Sequence, residues 1–274
     1  MIDHATALYC IVDDLLKAVG HADDSRRAMT DAEVLTTALL AAHCFGGNVE
    51  HSRRLLRETG LMPRMLSRSR LNRRLHAVAE LAYGLFHQLG GALKEMSSST
   101  KYLLDSFPVA VCDNIRISRC RLARGEQFRG RSAARRRYFY GVKVQVVATE
   151  EGVPVELAFL PGAASDVRGL GVLPLALPAG SELFMDSGYT DYAAEDAARE
   201  LDGVSFCVQR KRGSRRWDDP RRAYYKQLMR KRIETVFSRI TAMFPRHVHA
   251  VTLDGFLLKV SFFVIAFALD KAFI

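Results

Sequence analysis

Tyr102-Leu103-Leu104-Asp105-Ser106 is the stretch from which the rest of the chain can be read. Three apolar residues run into one carboxylate, the pattern of a buried strand that ends in an acid. Two further islands share this design. Leu183-Phe184-Met185-Asp186-Ser187-Gly188 is a second apolar run ending in an acid, with Gly188 placed where the chain can turn sharply. Arg232-Ile233-Glu234-Thr235 sets a glutamate on a helix rich in arginine. Taken singly, Asp105 and Asp186 fit turn or cap aspartates, and Glu234 fits a surface pair with Arg230 one helical turn earlier. The order Asp, Asp, Glu on strand, strand and helix is what selects a chemical reading. Strand ends are rigid mounts, and ligand sites in open α/β sheets gather at the carboxyl ends of strands.

Outward from Asp105 the pattern is α/β. Ser97-Ser98-Ser99-Thr100 is a short polar linker. After it, β-rich runs fall at 102–112, 138–149, 153–160, 183–185 and 204–208. The second and third form a hairpin that turns at Glu150-Glu151-Gly152. Helices are predicted over 167–177 and 192–201. This order gives an antiparallel opening followed by a parallel portion. Met229, Ile233, Val236, Phe237, Ile240, Met243 and Phe244 then mark an amphipathic helix ended by Pro245, with Glu234 on the rim of its buried face. A last helix is expected over 253–272.

Before the linker the chain reads as all helix. Thr30-Asp31-Ala32-Glu33 is a capping box ahead of an apolar run that stops at Gly46-Gly47. A short basic helix ends at Gly60. A long helix after Pro63 carries Leu71, Leu75, Val78, Leu81, Leu85 and Leu89 on one stripe. Helix, tight turn and arginine-studded helix are compatible with a helix-turn-helix reader of DNA. They are equally compatible with a dimerisation bundle. The expected organisation is an all-helical domain over 1–96, then a mixed sheet flanked by helices over 97–274.

The formal net charge is +10, with 40 Lys and Arg against 30 Asp and Glu. Most of these cations fall in three blocks, from Arg53 to Arg74, from Arg116 to Arg137, and from Arg210 to Arg232. Arginine dominates, and its planar fork matches phosphate bidentately. Three solvated basic faces are the alternative; three separate clusters favour a polyanion partner, most simply DNA or RNA, with double-stranded DNA expected. The five cysteines, Cys10, Cys44, Cys112, Cys120 and Cys207, are odd in number and irregularly spaced, so neither a disulfide framework nor a zinc knuckle is expected. A reducing cytosol is the expected compartment, with no signal peptide. The apolar run 260–269 spans only about ten residues, too few to cross a bilayer.

Isolated acids amid basic surface suit a divalent-metal enzyme acting on nucleic acid. Mg²⁺ takes oxygen ligands and few carboxylates per ion, and two ions can clamp the attacking and leaving oxygens of a phosphodiester. The chain also resembles the DDE insertion-sequence transposases with an RNase H-like catalytic core, and among them the insertion-sequence 982 group. The resemblance rests on Leu104-Asp105-Ser106-Phe107-Pro108-Val109, Asn114-Ile115-Arg116-Ile117, Phe128-Arg129-Gly130 and Tyr138-Phe139-Tyr140-Gly141-Val142-Lys143. It continues through Met185-Asp186-Ser187-Gly188-Tyr189-Thr190-Asp191-Tyr192 and Lys231-Arg232-Ile233-Glu234. It implies an RNase H-like fold, a metal-binding catalytic triad of Asp105, Asp186 and Glu234, and two Mg²⁺ or Mn²⁺ ions. It further implies DNA cleavage and strand transfer at element ends. A homodimer assembled on DNA, in the bacterial cytosol at the nucleoid, is expected. One departure stands out: Gln227 and Thr241 occupy the places where related groups carry tyrosine and lysine around the glutamate, with Tyr224 and Tyr225 a turn upstream.

Lys143, Arg230 and Arg232 are candidates for holding phosphates, and Arg64, Arg68, Arg70 and Arg73 for reading element ends, with Asn72 beside them. Trp217, the single tryptophan, lies in a basic loop. It either stacks on an exposed base or anchors the loop on the core. Asp166, after Ser165, reads as a helix cap. A metal-dependent nuclease without strand transfer, and a basic DNA-binding protein without catalysis, are the competing readings.

Overall fold

The computed structural model describes residues 1–132 and 136–274. Arg135, part of the second basic block, lies outside the described residues. The first acid-bearing run becomes β1 (Lys101–Cys112), the middle of a mixed sheet. β3 (Arg137–Thr149) lies antiparallel to β1, from Tyr102 opposite Thr149 to Cys112 opposite Tyr140. On its other side β3 pairs with β2 (Arg129–Ser132) and then with β4 (Pro154–Pro161), both antiparallel. β5 (Glu182–Met185) runs parallel to β1, and β6 (Ser205–Val208) runs parallel to β5. The β3–β4 hairpin turns at Gly152, whose φ of 86° suits glycine. The result is a mixed sheet flanked by helices, with an antiparallel opening and a parallel continuation, consistent with an RNase H-like core.

Gly141 shows why a small residue sits inside β3. A Cβ there would lie 2.1 Å from the Val109 carbonyl oxygen on β1, beside the irregularity between Ala110 and Cys112. Only glycine permits the two backbones to approach this closely. The faces of the sheet are packed by Tyr102, Leu104, Val147, Leu183, Met185, Tyr189 and Val208, all buried.

The chain divides into two compact units: Met1–Leu89 with Ile240–Ile274, and Gly90–Arg239. The linker at 97–100 marks where strands begin, but the division falls earlier and the last helix belongs with the helical unit. The reason is non-local packing, which no local signal in the sequence carries. The helical unit contains α1 (Ile2–Ala18), α2 (Asp31–Cys44), α3 (Val49–Glu58) and α4 (Arg68–Ala77). The boundaries between units lie within α5 (Ala79–Met96) and α7 (Pro220–Ala242). α2 starts at the expected capping box: the Glu33 N–H donates to Thr30 Oγ1 at 3.1 Å and the Thr30 N–H to Glu33 Oε2 at 2.7 Å. It is buried on nearly every side. α8 (Leu253–Phe273) is apolar all round and packs on α2. No helix among the described residues is long and apolar enough to cross a membrane.

Three elements differ from the sequence reading. The long helix after Pro63 is two helices, broken at Val78; no Gly or Pro marks the break. The helix predicted over 167–177 is a single 3-10 segment, Asp166–Gly171, because Gly169, Gly171 and Pro174 deny it a continuous ladder. β2 was not predicted, since Arg-Gly-Arg-Ser carries no strand pattern and is ordered only through β3.

Candidate active site

Register brings the two aspartates together. Leu104 on β1 pairs with Met185 on β5 in parallel, so Asp105 and Asp186 follow directly from paired residues. β5 ends at Met185, but β1 does not end at its acid as the sequence suggests and runs on to Cys112, with Asp105 opposite Val146 of β3. The Ser106 N–H donates to Asp105 Oδ1 at 2.7 Å, and the Gly188 N–H to Asp186 Oδ1 at 2.6 Å. Each carboxylate is thereby oriented by the backbone that follows it. A Cβ on Gly188 would sit 2.9 Å from Asp186 Oδ1 and 3.4 Å from Asp166 Oδ2, so glycine keeps this mouth open.

The site is electrostatically strained. Burial pushes the Asp105 carboxyl up to about 7, with the negative charges of Asp186 and Asp166 adding to the rise. The Ser106 N–H and the Arg230 guanidinium oppose it. The Tyr189 hydroxyl is likewise held well above its ordinary range, first by burial and then by Asp105, Asp166 and Asp186. Tyr189 donates to Gln145 Oε1 beneath the carboxylates.

Asp166 belongs to this cluster, which the reading of it as a cap missed. Its Oδ1 accepts from Ser106 Oγ at 2.8 Å and from Lys143 Nζ at 3.0 Å, and Ser165, the residue before it, makes no side-chain cap. Lys143 also donates to the Ala164 carbonyl at 2.9 Å, so the ammonium is held inside the cluster. The signal that links these residues is sheet register: Lys143 lies between Pro108 on β1 and Leu160 on β4.

Glu234 stands on α7. The buried face of that helix carries Met229, Ile233, Val236 and Phe237, and the Phe237 ring lies 4.8 Å from Phe107 on β1. This contact sets the helix beside the strand that carries Asp105. Glu234 itself is exposed and pairs with Arg230 at 3.4 Å. Arg230 therefore acts on both Asp105 and Glu234. Among the described residues the three acids do not form a set with ligand atoms within 4.8 Å of one another. Tyr225 packs against Phe184 at 5.5 Å beneath the Lys101 ammonium, whereas Tyr224 is exposed.

The other candidates are dispersed. Arg232 pairs with Glu150 at 2.7 Å. Trp217 is 78% exposed, so it does not anchor its loop on the core. The loop is held instead by Arg216 on Asp196 and by Lys226 on Asp218. In the helical unit Arg64, Arg68, Arg70, Asn72 and Arg73 are exposed. α4, which carries most of them, is fixed by Arg74, paired with the buried Asp31 of α2.

A family model described as a transposase DDE domain matches residues 96–248. The chain belongs to the DDE transposase family. The matched span of this transposase takes in Asp105, Asp166, Asp186 and Glu234. No curated protein and no solved structure matches the chain.

Proposed function

We propose that this transposase binds the ends of an insertion sequence and catalyses DNA cleavage and strand transfer, with Asp105, Asp186 and Glu234 as its metal-binding triad. On its motifs we assign it to the insertion-sequence 982 group. The observation that carries the reading is the pair Asp105 and Asp186, each directly after the last paired residues of the parallel strands β1 and β5, Leu104 and Met185. Two carboxylates, one of them half-buried and driven towards neutrality by its surroundings, are a donor set that a hard divalent cation relieves. The oxygen-only chemistry of the set fits Mg²⁺ or Mn²⁺, and we assign two ions by the same logic. Such ions, when bound, supply charge neutralisation at the attacking and leaving oxygens of the phosphodiester.

The protein's own groups do the rest. The backbone N–H groups of Ser106 and Gly188 fix the carboxylates. Lys143 holds Asp166 against Ser106. Arg230, which pairs with Glu234 and lowers the charge penalty at Asp105, offers a guanidinium to a scissile phosphate. Arg64, Arg68, Arg70 and Arg73 supply end recognition, and two copies of the chain assemble on the DNA. A strand-transfer assay with labelled element ends and Mg²⁺ tests this. Joined product that disappears in Asp105→Asn supports it. Nicking with no joined product would leave a metal-dependent nuclease.

A further inference from the structure

We propose a second metal site, of zinc type, built by His4, His43 and Cys44 in the helical unit. His4 lies in the first turn of α1, and His43 and Cys44 end α2. One ligand atom from each lies within 4.8 Å of the others. A borderline-soft ion such as Zn²⁺ takes just this mixture of imidazole and thiolate.

Two observations point to a missing partner. His4 Nε2 and His43 Nδ1 are both buried and neither has a hydrogen-bond partner. Buried polar atoms are normally satisfied, and two orphans in one cluster call for a shared ligand. The other nitrogen of His43, Nε2, faces Asp270 of α8 at 3.7 Å. A carboxylate behind one imidazole nitrogen, with the opposite nitrogen free, is the arrangement that orients a metal-bound histidine. The rings of His4 and His43 stack with centroids 4.2 Å apart, so the two imidazoles lie side by side in the cluster. Cys44 gives up its thiol proton to solvent on binding, and a water completes the fourth position. The donor set is chemically opposite to the oxygen site at Asp105 and Asp186, so the two sites select different ions.

The test uses the full-length chain in an Asp105→Asn/Asp186→Asn background, which removes the oxygen site, after stripping with a chelator. Co²⁺ as a spectroscopic stand-in gives a thiolate-to-metal charge-transfer band at one equivalent, and Zn²⁺ displaces it. Cys44→Ser abolishes the band. Asp270→Asn, which leaves all three ligands in place, weakens Zn²⁺ binding by about 10- to 100-fold. Zn²⁺ raises the melting temperature of the starting protein but not of His4→Gln. Absence of the band, or a band that persists in Cys44→Ser because other cysteines bind the ion, overturns the proposal. So does a thermal shift that His4→Gln retains.

Discussion

Arg68, Arg70 and Arg73 on α4 and Arg210, Arg216 and Arg232 in the sheet unit come from equally basic stretches, yet they do different work. These three α4 arginines are exposed, whereas Arg74 of the same helix pairs with the buried Asp31. Arg210 grips the buried Glu195 with both arms, at 2.7 and 2.6 Å. Arg216 divides itself between Glu195 and Asp196, and Arg232 reaches Glu150. Clustered positive charge in a sequence is therefore not the same as charge available to a polyanion. In the sheet unit much of it holds loops and helices in place. In the helical unit Arg53 and Arg74 do the same, on Glu50 and Asp31, while Arg68, Arg70 and Arg73 face solvent.

The contrast is sharpest if catalysis and binding can be separated. Asp105→Ala should lower cleavage by more than about a thousandfold, on the order of 4 kcal/mol at the barrier. Affinity for DNA, measured by filter binding or anisotropy, should stay within about twofold. A variant that cuts normally removes Asp105 from the site.

Removing a structural arginine should have the next largest effect, and on a different observable. Arg210→Ala leaves Glu195 buried and short of its main partner, which typically costs about 3–5 kcal/mol of stability. A sharp fall in denaturation midpoint is expected. An unchanged midpoint would mean that Arg210 is as free as the α4 arginines.

The metal-free protein should show the strain at Asp105 as a pH dependence. The folded carboxyl titrates at about 7, above its ordinary value of 3.8. The folded state thus holds its proton more tightly than the unfolded chain, and stability falls as pH rises between those values. Asp105→Asn should melt higher than the parent at pH 8, and the gap should narrow towards pH 5. A gap independent of pH would show that the carboxylate is not strained.

The smallest effects belong to the exposed arginines. Replacing Arg68, Arg70 or Arg73 singly by Ala should leave stability within about 0.5 kcal/mol. Each should reduce the slope of log affinity against log salt by about 0.9 if it meets a phosphate. A residue that reads a base instead changes discrimination between element ends and scrambled DNA. No change in either quantity would move end recognition elsewhere, with the exposed Trp217 loop the next place to look.

Local rules made much of this molecule legible. The run into Asp105, the capping box at Thr30 and Glu33, the turn at Gly152 and the amphipathic face of α7 all follow from short-range patterns, and the structure has each of them. What escaped depends on partners distant in sequence. Asp166 looked like a cap because its role is set by Ser106 on β1 and Lys143 on β3. β2 exists because β3 is there to pair with it. Trp217 was readable as either anchor or platform until its exposure was known. The ion pairs that occupy Arg210 and Arg216 likewise come from α6 (Tyr192–Leu201), and no composition count could have foreseen them.

The helical unit is assembled from both ends of the chain, with Ile240–Ile274 completing what Met1–Leu89 begins. On the ribosome, α2 emerges before α8, the element that covers it, and must wait for it. The entire sheet unit is made in the interval. The antiparallel strands can zip as they emerge, but the apolar flank of α2 stays open to solvent or to chaperones. A message cut short anywhere before α8 therefore yields a protein with an unfinished amino-terminal half, even though every codon of that half was read. An excised fragment 1–96 inherits the same defect, which makes point substitutions on α4 the sounder probe of what that half recognises.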